Sequence, residues 1–422
     1  MPSYTQLYEN AAAAAVKKEL ERNLKNPGDR AEYEEKRLAC LLRPDDYPLV
    51  VRLEDCHCKN GSCDVSCVFD AIYRDNQGNI AIDKDKCTGC CECITKCSEG
   101  NLSPKKDILP LFELLKQRET NPVYAIIAPA FIGQFSNDVT PGKLRSAFKR
   151  MGFEGMVEVA LFADILTLKE ALEFEGRVQN PTDYMLTSCC CPMWVGMIKK
   201  VYNDIVPHMP PSVSPMVACG RSIKKLKDNA KVVFIGPCLA KKAEAKESDI
   251  ADAVDLVLTF EEAAEVFDLL GINPAQEEED NRDHSSFAGR IYARTGGVSE
   301  AVEKTVNYLN PLRSVPFKSV AADGVADCRK LLSDVMEGKI TANFIEGMGC
   351  KGGCVGGPKR IIDVQDGKKN VEDYASSAEY TTPVNNPFVI ELLNRLGYDS
   401  IERLVSDDTI FSRNPNFNIN SK

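Results

Sequence analysis

Residues 232–238 read Val232-Val233-Phe234-Ile235-Gly236-Pro237-Cys238. A β-branched apolar run stopped by Gly-Pro predicts a strand buried on both faces, and the cysteine stands where that strand gives way to a loop. Two other runs share the pattern. Tyr184-Met185-Leu186 leads into Thr187-Ser188-Cys189-Cys190-Cys191-Pro192-Met193-Trp194, and Asn343-Phe344-Ile345 leads into Glu346-Gly347-Met348-Gly349-Cys350. In open α/β sheets the loops at the carboxyl ends of strands gather together, so cysteines far apart in sequence can meet. Further apolar runs at 123–127 and 157–161 alternate with helical stretches from Lys106 onward. That alternation predicts mostly parallel sheets covered by helices. After the triple cysteine, Trp194, Met197, Ile198, Val201 and Ile205 form an apolar helical stripe with Pro192 in its opening turn. A thiolate just ahead of that helix gains from its positive end.

The chain has 422 residues, 44% of them apolar, enough for two or three domains with a sizeable core. The apolar run at 11–16 is followed at once by Lys17-Lys18-Glu19, too short and too charged for a signal peptide, and no stretch reaches membrane-spanning length. A cytoplasmic protein is expected. In that compartment 18 cysteines point to metal rather than to structural disulfides. A net charge of −10 argues against a nucleic-acid partner and against an anionic membrane surface. Three histidines leave thiolate as the available ligand.

Residues 1–50 read as a helical prefix, broken at Asn26-Pro27-Gly28-Asp29, with a second charged helix ending near Cys40. Residues 51–103 hold nine cysteines. Cys87-x-x-Cys90-x-x-Cys93-x-x-x-Cys97 has the bacterial ferredoxin spacing, in which three thiolates hold one [4Fe–4S] cube and the fourth crosses to a neighbouring cube. Cys56, Cys58, Cys63 and Cys67 are spaced irregularly but keep the interval to the crossing cysteine. Exchanging the fourth ligands gives one cluster on Cys56, Cys58, Cys63 and Cys97 and another on Cys87, Cys90, Cys93 and Cys67. Val68 and Ser98 stand where a proline usually follows, and Cys91 fits no ligand position. A zinc ribbon is the competing reading of such pairs. Two cubes a short distance apart serve as an electron wire. The acidic run at 276–281 reads as a solvated loop.

Three segments resemble the signature motifs of [FeFe]-hydrogenases: Thr187-Ser188-Cys189-Cys190-Cys191-Pro192-Met193-Trp194, Gly236-Pro237-Cys238-Leu239-Ala240-Lys241-Lys242-Ala243-Glu244, and Glu346-Gly347-Met348-Gly349-Cys350-Lys351-Gly352-Gly353-Cys354-Val355-Gly356-Gly357. Ala128-Pro129-Ala130, Ala163-Asp164, Ser214-Pro215 and Thr295-Gly296-Gly297-Val298 match smaller landmarks of that family. The resemblance spans residues 51 to about 370. It implies a third cubane on Cys191, Cys238, Cys350 and Cys354, with Cys354 bridging to a two-iron unit that carries CO, cyanide and a dithiolate. Together these make the six-iron H-cluster, installed by hydrogenase maturation proteins. It further implies that Lys241 directs its ammonium at a cyanide and that Met348 packs on the two-iron unit. Ala128, Pro129, Ser214 and Gly353 would line the cofactor. Protons would pass through Cys190, Glu170 and Glu173; the two glutamates lie three apart on one expected helix face. Three departures from the commonest pattern mark a divergent subgroup: the additional cysteine before Pro192, Gly236 in place of methionine, and Pro210 where a relay serine is usual. Anchoring on Pro192 makes Cys191 the ligand and Cys190 the relay, whereas anchoring on Thr187 shifts both by one. Pro192 fixes the helix start, which favours the first. With Pro210 lacking a hydroxyl, the relay could detour through water or Ser212, or use Cys189.

The resulting expectation is an α+β multidomain chain: a helical prefix at 1–50, a ferredoxin-like two-cluster domain at 51–103, and an α/β catalytic domain at 104–422 with two sheets flanking the cluster. Its reaction would be the reversible oxidation of H2 to protons and electrons, with the electrons passing to a ferredoxin-like carrier. A slow hydrogen sensor, or a hydrogenase-like iron–sulfur carrier without the two-iron unit, are the alternatives.

Overall fold

Near-continuous apolar runs bury both faces of a strand, and they sort this chain into parallel sheets. The computed structural model describes residues 4–20, 35–53, 67–188 and 190–413, so Cys56, Cys58, Cys63 and Cys189 lie outside the described residues. In chain order the strands are β1 (Val50–Arg52), β2 (Ile72–Arg74), β3 (Ile80–Ile82), β4 (Leu102–Pro104), β5 (Val123–Ile127), β6 (Gly155–Glu158), β7 (Met185–Leu186), β8 (Lys231–Gly236), β9 (Leu256–Thr259), β10 (Ser319–Asp323) and β11 (Phe344–Met348). The order β6-β5-β8-β9 makes one all-parallel sheet, and β10-β11-β7 makes a second. Ile127 stands beside Ile235, and Ile345 beside Leu186. Register therefore brings the following loops out at the same rim of each sheet. The run at 157–161 is shorter as a strand than expected: β6 stops at Glu158, and the helix Ala160–Arg177 begins two residues later.

Helix ends follow local chemistry. Thr259 and Glu262 form a reciprocal capping box at the start of Phe260–Leu270, and a left-handed Gly271 ends that helix.

The helix Tyr4–Val16, expected as part of a helical prefix, packs onto the larger domain. Leu7, Tyr8 and Ala11 are buried in the same core as Ile108, Leu111 and Phe260, and the Lys106 ammonium lies 3.9 Å from the centre of the Tyr8 ring. Burial of that apolar stripe makes the helix a layer of the larger domain.

The acidic run at 276–281 likewise departs from expectation. Glu277 accepts from Arg150 at 2.6 Å, Asp280 from Lys149 at 2.6 Å, and Glu279 from the Thr140 hydroxyl at 2.6 Å. It clamps the helix Pro141–Met151 instead of standing free in solvent.

Among the described residues of the cysteine-rich unit, β1 pairs antiparallel with β4 and β2 with β3, and a short helix, Glu92–Lys96, lies between β3 and β4 in the chain. Leu49, Val50, Ile80, Cys91 and Leu102 share a buried cluster with Leu239. This unit is therefore seated directly on the loop that leaves β8. Among the described residues no helix is long and apolar enough to cross a membrane.

Candidate metal centre

β7, β8 and β11 each run into a cysteine loop, and hydrogen bonds tie those loops together. The Thr187 amide donates to Ile345 O at 2.9 Å, and the Trp194 indole donates to Thr187 O at 3.0 Å. Trp194 is fully buried against β11, where a Cβ on Gly347 would fall 1.9 Å from its ring. Only glycine lets the helix Pro192–Val201 approach this closely. Cys191 is the N-cap of that helix with Pro192 in the first turn, as the sequence predicts, and its sulfur accepts from Gly349 N at 3.3 Å. Across the rim, Lys359 N donates to Pro237 O at 3.0 Å, which joins the segment after Cys354 to the β8 loop.

Cys191, Cys238, Cys350 and Cys354 come within electrostatic reach of one another. Burial, reinforced by Cys191, raises the Cys238 thiol to about 11 against the pull of Lys241 and the backbone N–H groups of Lys241 and Ala240. Burial, with Cys191 and Cys238 beside it, raises Cys354 to about 12. Cys350 is pushed well above the ordinary thiol range, first by burial and then by the other three. All four are free thiols. Without a cation such a group stays protonated; bound iron would invert that preference. Among the described residues no three Cys, His, Asp or Glu side chains close on a single ion.

Two buried hydroxyls in these segments lack a hydrogen-bond partner, Thr187 Oγ1 and Ser214 Oγ. Ser214 holds the N-cap position of the helix Pro215–Leu226 yet makes no capping bond. Ala128 and Pro129 follow β5, with Ala128 N donating to Ile235 O at 2.9 Å. Met348 is buried at the end of β11, and its sulfur would lie 2.8 Å from a Cβ on Gly353. Gly353 has φ 90° and ψ −153°, a conformation essentially reserved to glycine. Soft sulfur donors, unpartnered hydroxyls and a tight glycine turn suit an iron–sulfur group.

Lys241, expected to direct its ammonium at a cyanide, has a carboxylate partner within its own helix. Its Nζ donates to Glu244 Oε2 at 2.5 Å; burial opposes its charge, but Glu244, with Cys238 and Cys354 adding, leaves its pKa raised. It thus stays beside the cysteines with a counter-charge of its own. The neighbouring Lys242 is buried between Asp107 (2.7 Å) and Glu262 (2.9 Å).

The helix Ala160–Arg177 buries both Glu170 and Glu173. Glu170 Oε1 accepts from Ser188 N and Ser188 Oγ at 3.4 Å each, two residues from Cys190. Burial raises the Cys190 thiol well above its ordinary value, with Cys191, Glu346, Cys354 and Glu170 adding to the effect. Glu173 Oε1 instead accepts from Lys169 Nζ at 2.5 Å, and Lys169 Nζ reaches Ser212 Oγ at 3.3 Å. Sequence reasoning passed over Lys169, Glu244 and Glu346. Glu346 is wholly buried; its carboxylate accepts from Gly296 N, Ser299 N and Ser299 Oγ at 2.7–2.8 Å, and burial raises its pKa. It holds the start of the helix Gly297–Leu309 to β11. A charged residue inside an apolar strand run was the signal available for it.

In the cysteine-rich unit, Cys67, Cys87, Cys90, Cys91 and Cys93 line one small cavity, and Ala71 N donates to Cys67 Sγ at 3.3 Å. Four of these are the crossed set expected from the spacing, and the fifth, Cys91, is the one the spacing leaves without a ligand position. Cys97 ends the helix Glu92–Lys96; its three expected companions fall outside the described residues. Cys91 is buried with φ 66°.

Cysteine loops at the rims of two parallel sheets, with a cysteine-rich unit seated against them, are the frame of an iron–sulfur protein. The chain belongs to the iron-only hydrogenase family: residues 121–358 match the model of the iron only hydrogenase large subunit, C-terminal domain. It is 29% identical over 381 residues to NADP-reducing hydrogenase subunit HndD of Solidesulfovibrio fructosivorans, covering 75% of this chain and 64% of that protein. Iron hydrogenase 1 of Clostridium pasteurianum is 28% identical over 275 residues, covering 56% and 48%. The chain thus spans about half to under two-thirds of the length of these relatives. It is also 27% identical over 213 residues to the cytosolic Fe-S cluster assembly factor NAR1 of Yarrowia lipolytica, covering 43% and 42%. The fold matches a variant of [FeFe]-hydrogenase HydA1 from Chlamydomonas reinhardtii with a TM-score of 0.55 at 21% identity, covering 67% of this chain and 93% of that one.

Proposed function

We propose that the protein is an [FeFe]-hydrogenase that interconverts H2 with protons and electrons, using a cubane on Cys191, Cys238, Cys350 and Cys354 joined through Cys354 to a two-iron unit. What supports this reading is that the four thiols lie within electrostatic reach of one another, in motifs that also carry two unpartnered buried hydroxyls and a glycine-only turn. When bound, the group supplies the redox metal at which H2 is split heterolytically; everything else falls to the chain. Met348 and Gly353 pack closely together in a buried setting, where electrostatic interactions are strengthened. Lys241, held by Glu244, keeps a positive charge beside the sulfurs. Cys190 takes or gives the proton, and Glu170, fixed by Ser188, is the next acceptor. Accessory cubes on Cys87, Cys90, Cys93 and Cys67, and on Cys56, Cys58, Cys63 and Cys97, pass electrons toward a ferredoxin-like carrier. Hydrogenase maturation proteins would install the two-iron unit.

A second reading, an iron–sulfur carrier holding cubanes alone, is favoured by the likeness to the assembly factor NAR1. Infrared absorption of the matured protein in the CO and cyanide stretching region separates the two. Bands there, with hydrogen evolution or uptake on a ferredoxin-like mediator, support the hydrogenase. Their absence after maturation favours the carrier.

A further inference from the structure

A fully buried lysine is costly, because desolvating its ammonium carries a penalty that a partner must offset. Lys169 has no exposed surface; its Nζ donates to Glu173 Oε1 at 2.5 Å and to Ser212 Oγ at 3.3 Å. Ser212 is held from outside the helix. It bridges to Ser412, Val213 N donates to Phe411 O at 3.0 Å, and Arg413 N donates to Pro211 O at 2.6 Å. The hydroxyl is therefore presented to Lys169 by a fixed backbone. Exposure rises along the row from Lys169 (0%) and Ser212 (1%) to Glu173 (7%), which sets the outward direction. Glu173 Oε2 is buried without a hydrogen-bond partner.

We propose that Lys169 is a proton-relay residue that takes the place of the hydroxyl missing at Pro210, passing protons from Ser212 to Glu173. The inference rests on the hydrogen chemistry proposed above, whose cleavage step supplies the proton. Glu173 cannot simply accept a proton from elsewhere, since that would leave the buried ammonium with no counter-charge. If the ammonium's own proton moves, an ion pair becomes a neutral pair, which burial does not penalise. In that step a Lys169 N–H bond breaks and an O–H bond forms on Glu173. Glu173 then releases its proton outward, and the amine takes the Ser212 hydroxyl proton as the serine is reprotonated from the cluster side, which restores the ion pair. No electrons move.

Arginine separates relay from scaffold, because it keeps the charge and the pairing but cannot give up its proton. In matured holoenzyme, K169R should retain the iron content, melting midpoint and CO and cyanide bands, while turnover falls on the order of 100-fold. Turnover within about twofold of the parent would overturn the relay and leave Lys169 a structural ion pair. A second measurement needs no loaded cluster and no tolerance of the larger side chain. Metal-free K169M should gain a protonated-carboxyl infrared band at neutral pH that K169M/E173Q lacks, and no such band would refute the coupling of Lys169 to Glu173. Absence of CO and cyanide bands from the matured parent would sink the hydrogenase reading and the relay with it, while the carboxyl result would still stand, so the two failures are distinguishable.

Discussion

Replacing Gly353 by alanine strikes the proposed cluster cradle at its least forgiving backbone position. At φ 90° and ψ −153° an alanine costs roughly 1–3 kcal/mol in backbone strain alone. Its Cβ would lie 2.6 Å from Thr295 N, 2.8 Å from Arg294 C and 2.8 Å from Met348 Sδ. Two of those atoms are backbone, and Thr295 N is already committed to Gly352 O at 3.1 Å, so the neighbour cannot swing aside. Overpacking adds roughly 1–3 kcal/mol, for a loss of about 4 kcal/mol together. In a domain of this size that lowers the melting midpoint by on the order of 10 °C. The natural control is Gly271→Ala, where φ is +63° but nothing lies within 4 Å of the added carbon; it should cost about 1 kcal/mol. Calorimetry on the three metal-free proteins reads the difference without any cluster. A midpoint for Gly353→Ala no lower than that of Gly271→Ala would refute the crowding described at the cradle.

Cys190→Ala should lower hydrogen turnover by 10² to 10⁴, roughly the contribution of one proton-transfer group, with iron content unchanged; undiminished turnover would mean that another thiol is the relay. Ser214→Ala should leave the metal-free fold within about 0.5 kcal/mol of the parent, because its hydroxyl caps nothing, whereas Thr259→Ala should cost about 1 kcal/mol through the lost capping box. Cys238 and Cys354, at about 11 and 12 in the folded metal-free chain against an ordinary 9.0, keep their protons while an unfolded chain has already lost them. Unfolding therefore releases protons above about pH 9. Metal-free stability should fall as pH rises from there, and iron loading near neutral pH should release protons measurable in a pH-stat.

The cysteine loops were legible in the sequence because each follows a short apolar run, and a strand's carboxyl end is where loops of a parallel sheet gather. Pro192 gave the helix start, and with it the N-cap position of Cys191. The spacing of Glu170 and Glu173 gave one helix face. What sequence could not reveal is which polar residues face inward. Lys169 reads like any helix lysine, and its partner Ser212 is fixed by the distant chain at 411–413. Glu244 is likewise an ordinary helix glutamate until the fold buries it against Lys241. The docking of the Tyr4–Val16 helix and the clamp made by 277–280 depend on contacts between segments roughly a hundred or more residues apart, which local periodicity does not encode.

The four-sulfur convergence is tested most directly by iron-edge anomalous diffraction from crystals of the matured protein. Anomalous density enclosed by the sulfurs of Cys191, Cys238, Cys350 and Cys354, continuing past Cys354 toward Met348, is the predicted result. Iron confined to the cysteine-rich unit, with any of those four sulfurs turned away from a common centre, would contradict it.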